Sequence, residues 1–309
     1  ICMAVTIKEI AALANVSRGT VDKVLNNRPG VRDSTREKVL KIANELHYQP
    51  NFIGKALVHS NNPIKIGIIL TPDYNPFVQE LLEGIQNAQN EFSAFGIKVI
   101  TKMMTSLEPA EQLSIINELV DMNVSGMAVF PLDNPHIFSR VNHLIENQMA
   151  VITFNSRVEG IHHLSFIGQN HYKGGRTAAG LVSKICPPDA NIGVIISSHN
   201  LSCHQDRLRG FEDKLAELNS DFKILDIQEN QDRKDDAFRI TLEYCNNYPE
   251  LGAIYLTSGG ITGVASALEI AEKTQQIKVI CHDITTDTVP LLKKGVVDFA
   301  LGQSPVLQG

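Results

Sequence analysis

Ser197-Ser198-His199 sets two hydroxyls beside an imidazole, the residue types of an acyl-transfer nucleophile and its base. The spacing argues against that chemistry. Adjacent loop residues rarely face one another, and no G-x-S-x-G turn lifts a serine above a sheet. His162-His163 and the remaining members of the ten histidines show no i, i+4 pair on a helix with a carboxylate, as a zinc site of that type requires. The five cysteines (Cys2, Cys186, Cys203, Cys245, Cys281) are odd in number, scattered and without a C-x-x-C pair. Reduced thiols are expected rather than a disulfide framework or a zinc site. Ser258-Gly259-Gly260-Ile261-Thr262-Gly263 is rich in glycine but lacks the lysine of a phosphate-cradling loop. No catalytic residue, metal or cofactor is expected.

Charge points to a different chemistry. The 309-residue chain has a net charge of −6, but residues 1–60 carry nine Lys/Arg against five Asp/Glu. A head of +4 therefore sits on a body of −10. That asymmetry suits a modular nucleic-acid binder, with the basic head as the contact. No apolar run approaches the ~18–20 residues of a membrane span. The opening Ile1-Cys2-Met3-Ala4 has no basic region leading into an apolar stretch, so a cytoplasmic protein is expected.

The elements that would position a DNA contact are short. Thr6 and Glu9 have the spacing of a capping box, and Ile7, Ile10, Ala11 and Ala14 make one apolar helical face. Asn15 ends this helix. Ser17 can cap a second, with Val21, Val24 and Leu25 inward. So tight a connection predicts a helix-turn-helix. Asn26-Asn27-Arg28-Pro29-Gly30 is a turn cluster, and a third helix begins near Asp33 or Ser34 with Val39, Ile42, Ala43 and Leu46 inside. Past Ile64 the pattern changes to apolar runs at 64–70, 98–102, 126–130, 150–154, 164–167, 192–196, 223–228, 253–256, 278–281 and 298–301, mostly separated by amphipathic stretches. Repeated β-α units predict parallel sheets flanked by helices, enough for two lobes. Ligands are then expected beyond the carboxyl ends of the strands.

Residue identity and order over Val5-Thr6-Ile7-Lys8-Glu9-Ile10-Ala11, Asn15-Val16-Ser17, Thr20-Val21, Val24-Leu25-Asn26 and Tyr48-Gln49-Pro50-Asn51 resemble the head of the LacI/GalR family of transcriptional regulators. The body resembles a type I periplasmic-binding-protein fold of the ribose-binding-like branch. The marks are Ile66-Gly67-Ile68-Ile69 with Asn75-Pro76-Phe77, Val151-Ile152-Thr153-Phe154-Asn155-Ser156, Gly174-Gly175-Arg176, and Arg207-Leu208-Arg209-Gly210-Phe211. The expected architecture is an all-α helix-turn-helix domain over 1–49, a hinge helix and linker over 50–62, and an α/β two-lobed effector domain over 63–309. The final Gln303–Gly309 stretch suggests a C-terminal truncation, and Met3 a possible start.

The resemblance implies DNA contacts from Thr6, Ser17, Arg18, Gly19, Thr20, Lys23 and Asn27. Arg18 and Lys23 can donate to guanine edges or touch phosphate alone, and Gly19 offers no side chain. Asp22 would repel phosphate unless it accepts from a cytosine or pairs with Arg18 or Lys23. Leu57 matches the hinge residue that wedges into the minor groove. In the body the implied effector contacts are Tyr74, Phe77, Asn155, Arg207, Ser258, Asp283 and Gln303. Aromatic planes would stack on a sugar ring and polar groups would bond its hydroxyls. Family members often carry Asp at the position of Asn155 and a longer amide at that of Ser258. The implied function is a repressor acting as a homodimer on a two-fold operator in double-stranded DNA and controlled by a sugar. A transport solute-binding protein and a regulator of a non-sugar ligand are the alternatives.

Overall fold

The computed structural model describes residues 5–25, 28–46, 48, 63–218 and 221–309. The chain divides into two compact units, one ending at Pro63 and the other starting at Ile64.

The first unit holds α1 (Ile7–Ala14), α2 (Arg18–Leu25) and α3 (Asp33–Glu45). The Thr6 hydroxyl accepts from Glu9 N–H, and the Glu9 carboxylate accepts from Thr6 N–H at 2.7 Å, closing the expected box. Those bonds hold the Glu9 carboxyl below its usual range. Asn15 ends α1 at φ 55°, a left-handed conformation that asparagine tolerates. The Ser17 hydroxyl accepts from Thr20 N–H and starts α2. Ile10, Ala14, Val21, Val24, Val39 and Ala43 form the small core.

All ten predicted strands are present in the second unit. β1 (Ile64–Leu70), β2 (Ile97–Met103), β3 (Gly126–Val129), β4 (Ala150–Phe154) and β5 (Ser165–Ile167) form the sheet of lobe 1, in the order β2-β1-β3-β4-β5. β6 (Asn191–Ile196), β7 (Lys223–Glu229), β8 (Leu251–Leu256), β9 (Lys278–His282) and β10 (Phe299–Leu301) form that of lobe 2, in the order β10-β9-β8-β6-β7. Every pairing is parallel. The two orders are the same when each is read from its second strand, so one topology is used twice. Its switch points lie at β1/β3 and β6/β8, where a parallel sheet opens a crevice.

In lobe 1 the helices are α4 (Pro76–Phe92), α5 (Pro109–Asp121) and α6 (Pro135–Glu146), each with proline in its first turn, where no N–H partner is lost. Asn75 and Asn134 cap two of them. Lobe 2 has α7 (His171–Ile185), α8 (Ser202–Glu217), α9 (Lys234–Asn247), α10 (Ile261–Ile270) and α11 (Thr288–Lys293). The chain crosses between lobes after β5 and again after β10, and α12 (Pro305–Gln308) packs on α4 at Gly84. No helix among the described residues is long and apolar enough to cross a membrane.

Candidate functional site

In the first unit, Thr6, Ser17, Arg18, Gly19 and Lys23 are exposed, and Thr20 is half-buried. Val21 and Val24 hold the inner side of α2, which leaves Arg18 and Lys23 on its outer surface. The Asp22 carboxylate meets the Arg28 guanidinium at 3.3 Å. Asn27 and Leu57, with the whole expected hinge 50–62, lie outside the described residues.

In the second unit, the loops at the carboxyl ends of both sheets meet around a narrow internal cavity. Phe77, Phe130, Asn155, Arg207, Asp283 and Gln303 line it, with Asn75, His204 and Asp232 beside them. The free space is only about 20 Å³, the room of roughly one water. Entry of anything the size of a sugar therefore requires the lobes to part.

Backbone conformation sets the polar side chains. Asn155 follows β4 at φ 55°, Asp232 follows β7 at φ 58° and Asp283 follows β9 at φ 72°. Left-handed backbone is tolerated by Asn and Asp far better than by longer or branched residues. Three strand ends thus turn sharply and present a short amide or carboxylate at once. Arg207 comes from the second turn of α8 and is only 2% exposed. Its Nη1 donates to Thr257 O at 2.6 Å, while Nε and Nη2 have no partner among the described residues. Asn155 Oδ1 and Gln303 Oε1 are likewise buried and unpartnered. Unmet groups of this kind cost about 1–3 kcal/mol each and mark a surface that a ligand can complete.

Around Arg207 stand three buried histidines. His171 bonds Asn155 O at 2.6 Å, His204 Nδ1 bonds Thr257 Oγ1 at 2.9 Å, and His282 Nε2 bonds Tyr255 OH at 2.9 Å. Burial, reinforced by Arg207, holds His171 down to about 3 and the other two well below the usual imidazole range. All three are neutral, so Arg207 is the cation of this cavity. Asp283 accepts from Gln303 Nε2 at 2.5 Å, and burial pushes its carboxyl up to about 6.

Two of the seven implied effector residues sit apart from the cavity. Tyr74 is 44% exposed; its hydroxyl donates to Thr105 O, and its ring lies 5.2 Å beneath the Arg233 guanidinium of lobe 2. It clasps the two lobes from outside. Ser258 is buried but folds back, donating to Asn230 Oδ1. Sequence reasoning missed Asp232, His204, Asn75 and Phe130. Phe130 directly follows β3 and Asp232 lies in the loop after β7, three residues past Glu229, so a search of the strand-end loops covered both. His204 carried no such mark, because it lies inside a helix.

The serines of the 197–199 motif show no nucleophile geometry. Ser197 Oγ donates to Asp232 at 2.7 Å, Ser198 Oγ accepts from Asn200 N–H, and His199 turns to Glu229. No cluster of metal-ligating side chains occurs among the described residues, and the four described cysteines are free thiols.

Comparison with known proteins agrees with this division. The family profile described as "Periplasmic binding protein domain" matches residues 66–309, and that of "Bacterial regulatory proteins, lacI family" matches residues 6–51. The HTH-type transcriptional regulator MalR of Streptococcus pneumoniae is 28% identical over 220 residues, 69% of this chain and 63% of that protein. Catabolite control protein A of Streptococcus mutans is 22% identical over 244 residues, 79% of this chain and 70% of that one. The chain thus spans less than two thirds of the length of MalR. Among solved structures, XylFII aligns with a TM-score of 0.73 at 23% identity, over 80% of this chain and 90% of that one. GanP of Geobacillus stearothermophilus, a glucose-galactose binding protein, aligns with a TM-score of 0.70 at 21% identity, over 79% and 87%.

Proposed function

Because the chain belongs to the periplasmic-binding-protein family over residues 66–309 and carries a lacI-family regulatory domain over residues 6–51, we propose that it is a DNA-binding transcriptional regulator, a repressor, whose grip on its operator is set by a small-molecule effector. The effector is a sugar. The observation that carries the reading is a pairing within one chain. An exposed Arg18/Lys23 surface stands on the second helix of a helix-turn-helix, and unpartnered polar atoms line the cleft of a two-lobed fold. Curated relatives described as transcriptional regulators support the first half. Fold neighbours described as sugar-binding proteins support the second.

The protein works as a dimer in the cytoplasm, without catalysis. One head covers few base pairs, so two heads on a two-fold operator supply the specificity. Lys23 and Arg18 read base edges, while Thr6, Ser17 and Thr20 hold phosphates; Gly19 lets the helix approach closely, and Asn27 and Leu57 complete the contact. In the cleft, Phe77 stacks on the ring, and Arg207, Asn155, Asp283 and Gln303 bond hydroxyls. Tyr74 and Ser258 act indirectly, the first by clasping the lobes and the second by fixing the Asn230 loop. Effector closure repositions the heads; a difference of about 1–3 kcal/mol between the two states suffices for control.

The experiment is selection of duplexes from a random library by the full chain, followed by anisotropy titrations at several salt concentrations. Specific duplexes are expected, with log affinity falling linearly in log salt and Lys23→Ala weakening binding by about 1–3 kcal/mol. Failure to retain any duplex would return the chain to the solute-binding reading.

A further inference from the structure

The groups that face the cleft cavity are unbalanced in charge and in hydrogen-bonding sense. Arg207 supplies one positive charge and two unused donor nitrogens. Against it stand two carboxylates, Asp232 and Asp283, and neither forms an ion pair with it. Asn155 Oδ1 and Gln303 Oε1 add two further unused acceptors. His204, on the same wall, stays neutral because burial and Arg207 oppose its protonation.

Asp232 owes its place to several neighbours. Gln231 and Asp232 are both left-handed, at φ 51° and 58°, and turn the chain back after β7. Asn230 then links two loops: its Oδ1 accepts from Asp232 N–H and from Ser258 Oγ, and its Nδ2 donates to Gly259 O. The short Ser258 folds onto Asn230 and leaves room for the Asp232 carboxylate. Gly259 completes the fit. Its N–H donates to Asp232 Oδ1 at 2.6 Å, and a Cβ there would stand 3.0 Å from the same oxygen. Ser197 Oγ bonds the other oxygen, and Asn75 Nδ2 reaches across from lobe 1 at 3.5 Å. These bonds fix the carboxyl group at the cavity wall, while burial pushes its pKa up. Asn155 and Ser258 depart from the family pattern expected on the sequence, and the loop after β7 brings an acid, Asp232, to the same cavity as Asn155.

We infer that Asp232 is a ligand-binding and specificity-determining residue, and that with Asp283 it restricts the cleft to uncharged or amine-bearing polyols and shuts out phosphorylated and carboxylated ones. The inference rests on the reading of the cleft as the sugar site. A hydroxyl or ammonium group donates to the carboxyl and amide oxygens, whereas an anionic substituent would face two buried carboxyl groups with one guanidinium to pair it.

The test is calorimetric titration of the full chain with matched sets built on common pentoses and hexoses, such as D-glucose, D-glucosamine, D-glucose 6-phosphate and D-glucuronate. At least one parent or amino sugar is expected to bind, with its phosphate and carboxylate forms at least 100-fold weaker. In Asp232→Asn that discrimination should shrink tenfold or more; Asp283→Asn, read the same way, serves if the first variant does not fold. An anionic member that binds as tightly as its parent overturns the exclusion and leaves the sugar reading standing. Unchanged discrimination in both variants overturns the assignment of the carboxylates. No binding by any member overturns the sugar reading and this inference together.

Discussion

Lobe 1 brings Phe77 and Phe130 to the cleft, with the amides Asn75 and Asn155; lobe 2 brings Arg207, Asp232, Asp283 and His204. The same split runs through the packing. Strands β6, β8 and β9 of lobe 2 are buried along nearly their whole length, whereas β1 and β2 of lobe 1 are mostly half-buried. Two core clusters, one on each face, cover the lobe 2 sheet. The charged groups of the cleft come from the lobe whose central strands are the more buried. Packing and hydrogen bonds from neighbouring loops hold a guanidinium and two carboxyl groups in fixed geometry there.

The sharpest test compares the glycine contact between α7 and α8 of lobe 2 with a strand glycine in β1 of lobe 1. A Cβ at Gly175 on α7 would lie 1.9 Å from Arg207 O, and one at Gly210 on α8 would lie 2.0 Å from Tyr172 O, so these helices touch backbone to backbone. A Cβ at Gly67 in β1 would meet only the Leu119 side-chain end, at 2.9 Å. Gly175→Ala should cost about 3 kcal/mol, at the upper end for overpacking. That is roughly 6–12 °C in Tm for a domain of this size. Gly67→Ala should cost less than about 1 kcal/mol, since Leu119 can adjust. Equal losses in urea unfolding would erase the contrast.

Arg207→Met removes the cation but keeps most of the volume. Effector affinity should fall by about 100-fold, close to 2.7 kcal/mol, because the donors are lost and two carboxylates are left facing each other. Phe77→Leu in lobe 1 should weaken binding only a few-fold. Titration calorimetry on both variants would reverse the argument if Phe77→Leu were the worse.

Acid should act through lobe 2. His171, His204 and His282 stay neutral when folded but take up protons below about 6.5 when unfolded. Their contribution is complete above that pH and is lost on acidification, for His171 down to about 3. Asp283 acts in the opposite sense. Its folded value of about 6 is raised, so its contribution is complete below about 3.9 and disappears as pH rises through 6. Asp232, also raised, joins it. Three histidines outnumber the two carboxylates, so stability should fall on acidification between pH 6 and 4. Urea midpoints measured across that range should show it, and Asp283→Asn should steepen it. A flat profile would mean that the histidines are not buried neutral.

The smallest effect belongs to the outer clasp. A double-mutant cycle on Tyr74 and Arg233 should give a coupling of about 0.5–1 kcal/mol in effector affinity, as for an exposed cation–π pair. A coupling near zero would make the contact incidental.

Much of this was legible in the sequence because it is local. The Thr6/Glu9 box, the Asn15 stop and the period of Ile10, Ala14, Val21 and Val24 need only neighbours within one or two helical turns. The ten strands were readable because buried parallel strands are short apolar runs between breakers. Asp283, Asn155 and Gln303 were placed by motif and strand end together, and Arg207 by motif alone. The rest depended on contacts distant in the chain. Tyr74 follows β1 as a ring-stacking residue should, yet Arg233, more than 150 residues away, holds it outside the cavity. Asp232 looks like any loop acid until Ser197, Gly259 and Asn75 converge on it. Sequence by itself determined which segments become helix and strand, since apolar period and capping act over a few residues. Tertiary structure alone brought Asp232 to the cleft beside Asp283 and raised the pKa of both, because burial and hydrogen bonding from separate loops set these.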